Sequence, residues 1–147
     1  MLHGSRQTKL VELTREECLA LLSSRGFGRL AVAGSGETPI IRPVNYVFDE
    51  RAQAVAFRTA AGSKLYFLVR AAKAAFEIDE IDQAGRTGWS VIIAGVTEEV
   101  TSAADVRRLE GLGLDTWPPG ERSHWVRIRT AAVSGRRIAA VEIAEQT

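Results

Sequence analysis

The residues best suited to chemistry in this chain form one short run, Phe57-Arg58-Thr59-Ala60-Ala61-Gly62-Ser63-Lys64-Leu65. A strand pattern ends in Arg58-Thr59, a turn of small residues follows, and a helical pattern opens at Ser63-Lys64. The free backbone N–H groups and dipole of a helix start attract an anion. Arg58 adds a planar fork of donors, Lys64 a point charge, and Thr59 and Ser63 add hydroxyls. Donors this close together suit a terminal phosphate monoester, with a capped helix carrying solvated cations as the alternative. The spacing is not the GxxxxGK of a nucleotide-triphosphate loop.

Two more runs carry possible chemistry. In Arg42-Pro43-Val44-Asn45-Tyr46 the proline breaks the strand ladder, and the backbone groups it frees could meet a planar heterocycle edge-on. Alternation sets Asn45 and Tyr46 on opposite faces. The other reading is an edge strand with ordinary core residues. In Arg86-Thr87-Gly88-Trp89-Ser90 the glycine permits close backbone approach, so Trp89 and Ser90 could line a pocket; a core tryptophan is the alternative. Trp117, before Pro118-Pro119, is a candidate lid or subunit contact. Cys18 lies on an apolar helical stripe and reads as an inert core thiol. His124 has no second histidine near enough in sequence for metal or base chemistry. Asp79, Glu80 and Asp82 read as a solvated strand end.

Composition limits what these residues can serve. The chain has 147 residues, 46% hydrophobic and 25% charged, which fits one globular domain over 13–147 behind a tail at 1–12. Lys plus Arg is 19 and Asp plus Glu is 18, a net charge of +1. That balance argues against a nucleic-acid or membrane-surface partner. A barrel binding single strands through Trp89, Trp125, Arg127 and Arg129 would need a more cationic groove. The single cysteine and the absence of an apolar leader give a cytoplasmic expectation. Lysine occurs only at Lys9, Lys64 and Lys73, and one of these falls in the candidate anion turn.

The elements that must position these runs can be read from periodicity. Thr14-Arg15-Glu16-Glu17 is a capping box opening a helix over about 15–24, stopped by Gly26. Strands follow over 27–33, ended by Gly34-Ser35-Gly36, and over 40–48 and 53–59. After the helix at Ser63 come strands over 73–81 and 88–100, then a helix capped by Ser102. A last strong strand spans 124–130, with weaker strand pattern to about residue 143. About six or seven mostly antiparallel strands with short helices predict a small mainly β barrel of α+β type, since closure removes sheet edges.

The runs LTREECLALLSSRGFGRLAV at 13–32, RPVNYVFD at 42–49, FRTAAGSKL at 57–65, AFEIDEID at 75–82, RTGWSVIIAG at 86–95 and HWVRI at 124–128 resemble the pyridoxamine 5′-phosphate oxidase-like family of FMN-binding split barrels, in its short branch. The resemblance implies an antiparallel six-stranded split barrel that homodimerises, with FMN in clefts between the subunits. It implies phosphate contacts from Arg58, Thr59, Ser63 and Lys64. It implies ring contacts from Pro43, Val44, Asn45 and Tyr46, and from Trp89 and Ser90. The activity implied is a flavin-dependent oxidoreductase acting on a small molecule. The alternatives are a non-enzymatic flavin carrier or redox sensor, and a reductase using the deazaflavin F420.

Overall fold

The computed structural model describes residues 7–33, 38–69 and 72–141. In chain order the elements are β1 (Thr8–Glu12), α1 (Arg15–Ser24), β2 (Phe27–Val32), β3 (Ile40–Asn45), β4 (Val47–Asp49), β5 (Ala54–Thr59), α2 (Lys64–Leu68), β6 (Lys73–Asp82), β7 (Thr87–Val100), α3 (Ala103–Glu110), β8 (His124–Arg129) and β9 (Ala132–Ala140). The capping box forms as expected. The Thr14 hydroxyl accepts from the Glu17 amide at 3.1 Å, and the Glu17 carboxylate accepts from the Thr14 amide at 2.9 Å.

Strand β7 is the spine. One edge pairs with β6 from Lys73↔Val96 to Asp82↔Thr87. The other edge is divided: Gly88 to Ala94 pair with β9, and Thr97 to Val100 pair with β8. The main path runs β3-β2-β6-β7-β8-β5-β4, antiparallel throughout. Its two outermost strands, β3 and β4, are consecutive in the chain with only Tyr46 between them. The path therefore returns on itself, and the sheet is a split barrel.

Leu22, Leu30, Phe57, Phe76, Ile78, Ile93 and Ile128 fill the interior, all fully buried. Burying a side chain of this kind contributes about 1.5–3 kcal/mol. Strands β2 and β6 approach closely at Gly28, where an added Cβ would lie 2.4 Å from the Phe76 ring. Outside the barrel, α3 covers a smaller cluster of Ala56, Val100, Leu109 and Trp125. Arg108 pins that helix to the β4–β5 turn: its Nη2 donates to Asp49 Oδ2 at 2.6 Å and its Nε to Oδ1 at 3.3 Å.

Several expectations are corrected. Nine strands occur among the described residues, not six. The strand expected over 40–48 is two, because at Tyr46 the backbone leaves one ladder for another and its amide donates to Gly26 O at 2.9 Å. Residues 8–12, expected in a tail, form β1 against β9 with Leu10 opposite Ile138. All of β1 stays exposed, so no alternation of burial marks it in the sequence. The Gly34-Ser35-Gly36 turn and the strand pattern beyond Val141 lie outside the described residues.

Tyr46, expected at the cofactor ring, is 2% exposed with its side chain pointing inward. Its hydroxyl donates to Leu22 O at 2.7 Å and its ring meets Phe76 edge-on at 4.9 Å. Burial pushes its phenol above the usual tyrosine range. Tyr46→Phe leaves the Leu22 carbonyl without that donor and is expected to cost about 1–3 kcal/mol. Thermal unfolding checks this, and an unchanged midpoint would contradict it.

Candidate functional site

Thr59 is the last residue of β5 and lies directly opposite His124, the first of β8; Arg58 lies opposite Trp125. Side chains alternate along a strand, so Arg58 and Thr59 leave β5 on opposite faces. The Arg58 guanidinium sits 5.2 Å over the Trp125 ring, with Nη1 3.6 Å from Glu110 Oε2. Glu110 Oε1 accepts from Trp125 Nε1 at 2.9 Å, so one carboxylate braces both residues. Among the described residues Arg58 Nε is buried without a hydrogen-bond partner, as is Thr116 Oγ1. Arg58, Glu110, Thr116 and Arg122 line a cavity of about 430 Å³ on this side.

On the other face Thr59 is 2% exposed, and its hydroxyl also has no hydrogen-bond partner among the described residues. Gly62, at φ 78°, makes the left-handed turn for which glycine is suited. Ser63 then caps α2, its oxygen accepting from the Tyr66 amide at 3.1 Å. Lys64 opens the helix; its side chain lies outside the described structure. Helix α2 has only five residues, a little over one turn, so the helix dipole expected from the sequence is small. Anion binding here depends on side chains.

Three polar side chains meet beside this turn. His124 Nδ1 is 2.6 Å from Glu99 Oε1, and the Tyr66 hydroxyl donates to the same oxygen at 3.3 Å. The Tyr66 and His124 rings lie 4.3 Å apart, tilted by 39°. Sequence reasoning set His124 aside for want of a second histidine. Its partner is a glutamate 25 residues earlier, delivered by the β7–β8 pairing.

The remaining expected residues lie elsewhere. Pro43 is exposed on β3, at the end of the sheet path, and Val44 packs on the core. Asn45 Oδ1 accepts from the Trp117 amide at 3.0 Å, and Trp117 stacks on Phe27 at 5.0 Å. With Arg25 and Asp115 these residues line a second cavity, of about 480 Å³. Trp89 lines a third, of about 380 Å³, with Ile81, Gly88, Arg137 and Ile138. Arg25 covers the Trp89 ring at 5.3 Å while pairing with Glu80 at 2.6 Å. Ser90 follows on β7, opposite Arg136 and Asp79. Within one chain the expected cofactor residues thus fall in three places. Cys18 is buried, and burial pushes its thiol up, as an inert core residue requires.

A sequence model of the family described as pyridoxamine 5′-phosphate oxidase matches residues 14–137. An uncharacterised protein of Mycobacterium tuberculosis is 36% identical over 138 residues, covering 90% of this chain and 88% of that protein. The FAD binding protein from Mycobacterium smegmatis superposes with a TM-score of 0.73 at 35% identity, covering 86% of this chain and 97% of that one. A conserved protein of unknown function from Corynebacterium diphtheriae gives 0.74 at 34% identity, covering 88% and 98%.

One acidic pair lies apart from the anion turn. Glu77 and Asp79 on β6 share Arg29 Nη1, at 3.4 and 3.5 Å. Partial burial, with the hydrogen bond and charge of Asp79, raises the Glu77 carboxyl to about 7 against the pull of Arg29. A carboxyl raised on folding binds its proton more tightly in the native state, so stability falls as pH rises from its ordinary value through 7. Glu77→Gln is therefore expected to raise the melting temperature well above neutral pH and to change it little near pH 5 (roughly the ordinary carboxylate range). Melting curves at the two pH values check the sign.

Proposed function

The chain belongs to the pyridoxamine 5′-phosphate oxidase family, and from that premise we propose that it binds FMN and acts as a flavin-dependent oxidoreductase on a small molecule. The observation that carries the reading is the set of buried donors without partners at Arg58 Nε, Thr59 Oγ1 and Thr116 Oγ1. Buried polar groups are nearly always satisfied, and leaving one unmade costs about 1–3 kcal/mol. A phosphate presents acceptor oxygens on several sides at once. Because β5 ends at Thr59 where β8 begins at His124, a group seated beyond the strand ends could approach both faces. Thr59, Ser63 and Lys64 would hold it from one side and Arg58 from the other.

The flavin supplies the redox chemistry when bound. The chain's part is to bind, orient and shield it. The outer edge of β3 at Pro43 and Val44 and the Asn45 amide would meet the polar rim of the ring. Tyr46 would support that edge from the core. Trp89 would limit access of water, and Ser90 would offer a hydroxyl. FAD is a second reading, favoured by the room beside Arg58, where Arg122 adds a second cation to the cavity wall. The similar protein from Mycobacterium smegmatis is named as FAD binding.

A homodimer with the cofactor at its interface accounts for the three separate places. Ile81, Gly88, Ile138 and Leu10 lie side by side across β6, β7, β9 and β1, and the three large residues are 62%, 41% and 60% exposed. A second copy seated on that row would bury it. A cofactor held between the copies could then take its Trp89 wall from one chain and its phosphate turn from the other. Ile138→Asp is expected to yield a monomer by light scattering and to weaken flavin binding together with it; a flavin-loaded monomer would contradict the shared site.

The phosphate assignment is tested by titration with FMN and with riboflavin. The protein is expected to prefer FMN. Thr59→Val and Lys64→Ala are each expected to lose about 1.5–3 kcal/mol of FMN binding, the range for hydrogen bonds to charged groups, with riboflavin little changed. No uptake of either flavin would overturn the reading.

A further inference from the structure

The Tyr66–Glu99–His124 cluster is too specific in geometry to be a solvated surface. Two elements, α2 and β8, each send one side chain to a single carboxylate oxygen that β7 supplies. Glu99 and His124 are both mainly buried, with side chains 23% and 30% exposed. Holding a carboxylate there has a desolvation cost that a hydrophobic contact would not carry. The arrangement sits at the anion turn, since Tyr66 also donates its amide to Ser63.

Resting on the flavin reading above, we propose that His124 is a further phosphate-binding residue, with Glu99 as the residue that positions it. Glu99 engages Nδ1, so the ring is fixed and Nε2 is the nitrogen left for a ligand. Among the described residues no hydrogen bond to Nε2 competes. Directly opposed residues of an antiparallel pair have Cβ atoms about 4.5–5.5 Å apart on the same face. His124 is opposed in this way to Thr59, whose buried hydroxyl has no hydrogen-bond partner among the described residues. One unsatisfied hydroxyl and one oriented imidazole nitrogen therefore share a face at the point where the strand pair ends.

The chemistry selects an oxyanion. A doubly protonated imidazole here donates from Nδ1 to Glu99 and from Nε2 to an oxyanion, the second a charge-assisted hydrogen bond. The carboxylate–imidazole–phosphate order also keeps Glu99 from facing the phosphate directly. Phosphorylated flavin is thereby distinguished from riboflavin by a residue outside the FRTAAGSK run. The Tyr66 ring, tilted by 39° at 4.3 Å, limits how far His124 can swing, and its hydroxyl holds the same Glu99 oxygen.

The test is the ratio of FMN to riboflavin affinity, measured by flavin fluorescence on the full chain. A structural role would lower both affinities together, whereas a phosphate contact lowers only the first. His124→Phe keeps a ring against Tyr66 and removes both nitrogens; the ratio is expected to fall at least about tenfold. His124→Gln retains a donor and is expected to recover part of it. Glu99→Gln, nearly identical in shape, is expected to lower the ratio in the same direction, and it carries the test should the Phe variant fold poorly. A wild-type protein that prefers FMN while its folded variants keep the same ratio overturns this inference alone. A wild-type protein that does not distinguish the two flavins, or binds neither, overturns the phosphate reading and this inference with it.

Discussion

Closure at Tyr46 is the constraint from which the rest of the structure follows. Strands β3 and β4 stand at opposite ends of the strand path, yet they are one run of chain through a single buried residue. The hydroxyl of Tyr46 holds the last part of α1 through Leu22, its amide holds Gly26, and its ring rests on Phe76. A polar atom taken this deep must be satisfied, and a single well-aligned carbonyl does so. With the corner fixed, β5 is paired on both edges, by β4 and by β8. Its register then leaves no freedom: Thr59 ends against His124, and Arg58 ends against Trp125.

That register creates the chemistry at the end of the pair. Neighbouring residues of one strand are sent to opposite faces, and each arrives with a buried polar atom that has no hydrogen-bond partner among the described residues. On the outer face α3 supplies Glu110 to brace Arg58 and Trp125, and the Arg108–Asp49 pair fixes where α3 lies. On the inner face α2 supplies Tyr66, and β7 supplies Glu99. The site is therefore not a property of one loop. It is a place where two strands stop, with helices on either side holding the groups that remain.

Local signals were legible in the sequence and pairing products were not. The capping box at Thr14 and the caps at Ser63 and Ser102 need only a few consecutive residues, and all three form. The turn after Thr59 was legible for the same reason. The opposite facing of Arg58 and Thr59 was available from alternation alone, since both fall inside the strand pattern. Alternation also separated Asn45 from Tyr46, but it could not say which of them turns inward; the corner of the barrel decides that. Strand β1 carries no buried residue, so no pattern could announce it. The Glu99–His124 contact joins residues 25 apart, and only the β7–β8 ladder brings them together.

The identity of the small molecule that the native protein carries tests the flavin reading most directly. Mass spectrometry of the ligand released from protein purified without added cofactor measures it. A flavin bearing a phosphate is the predicted result, giving a yellow protein. Riboflavin alone, a non-flavin ligand, or a colourless protein that does not take up added FMN would contradict it.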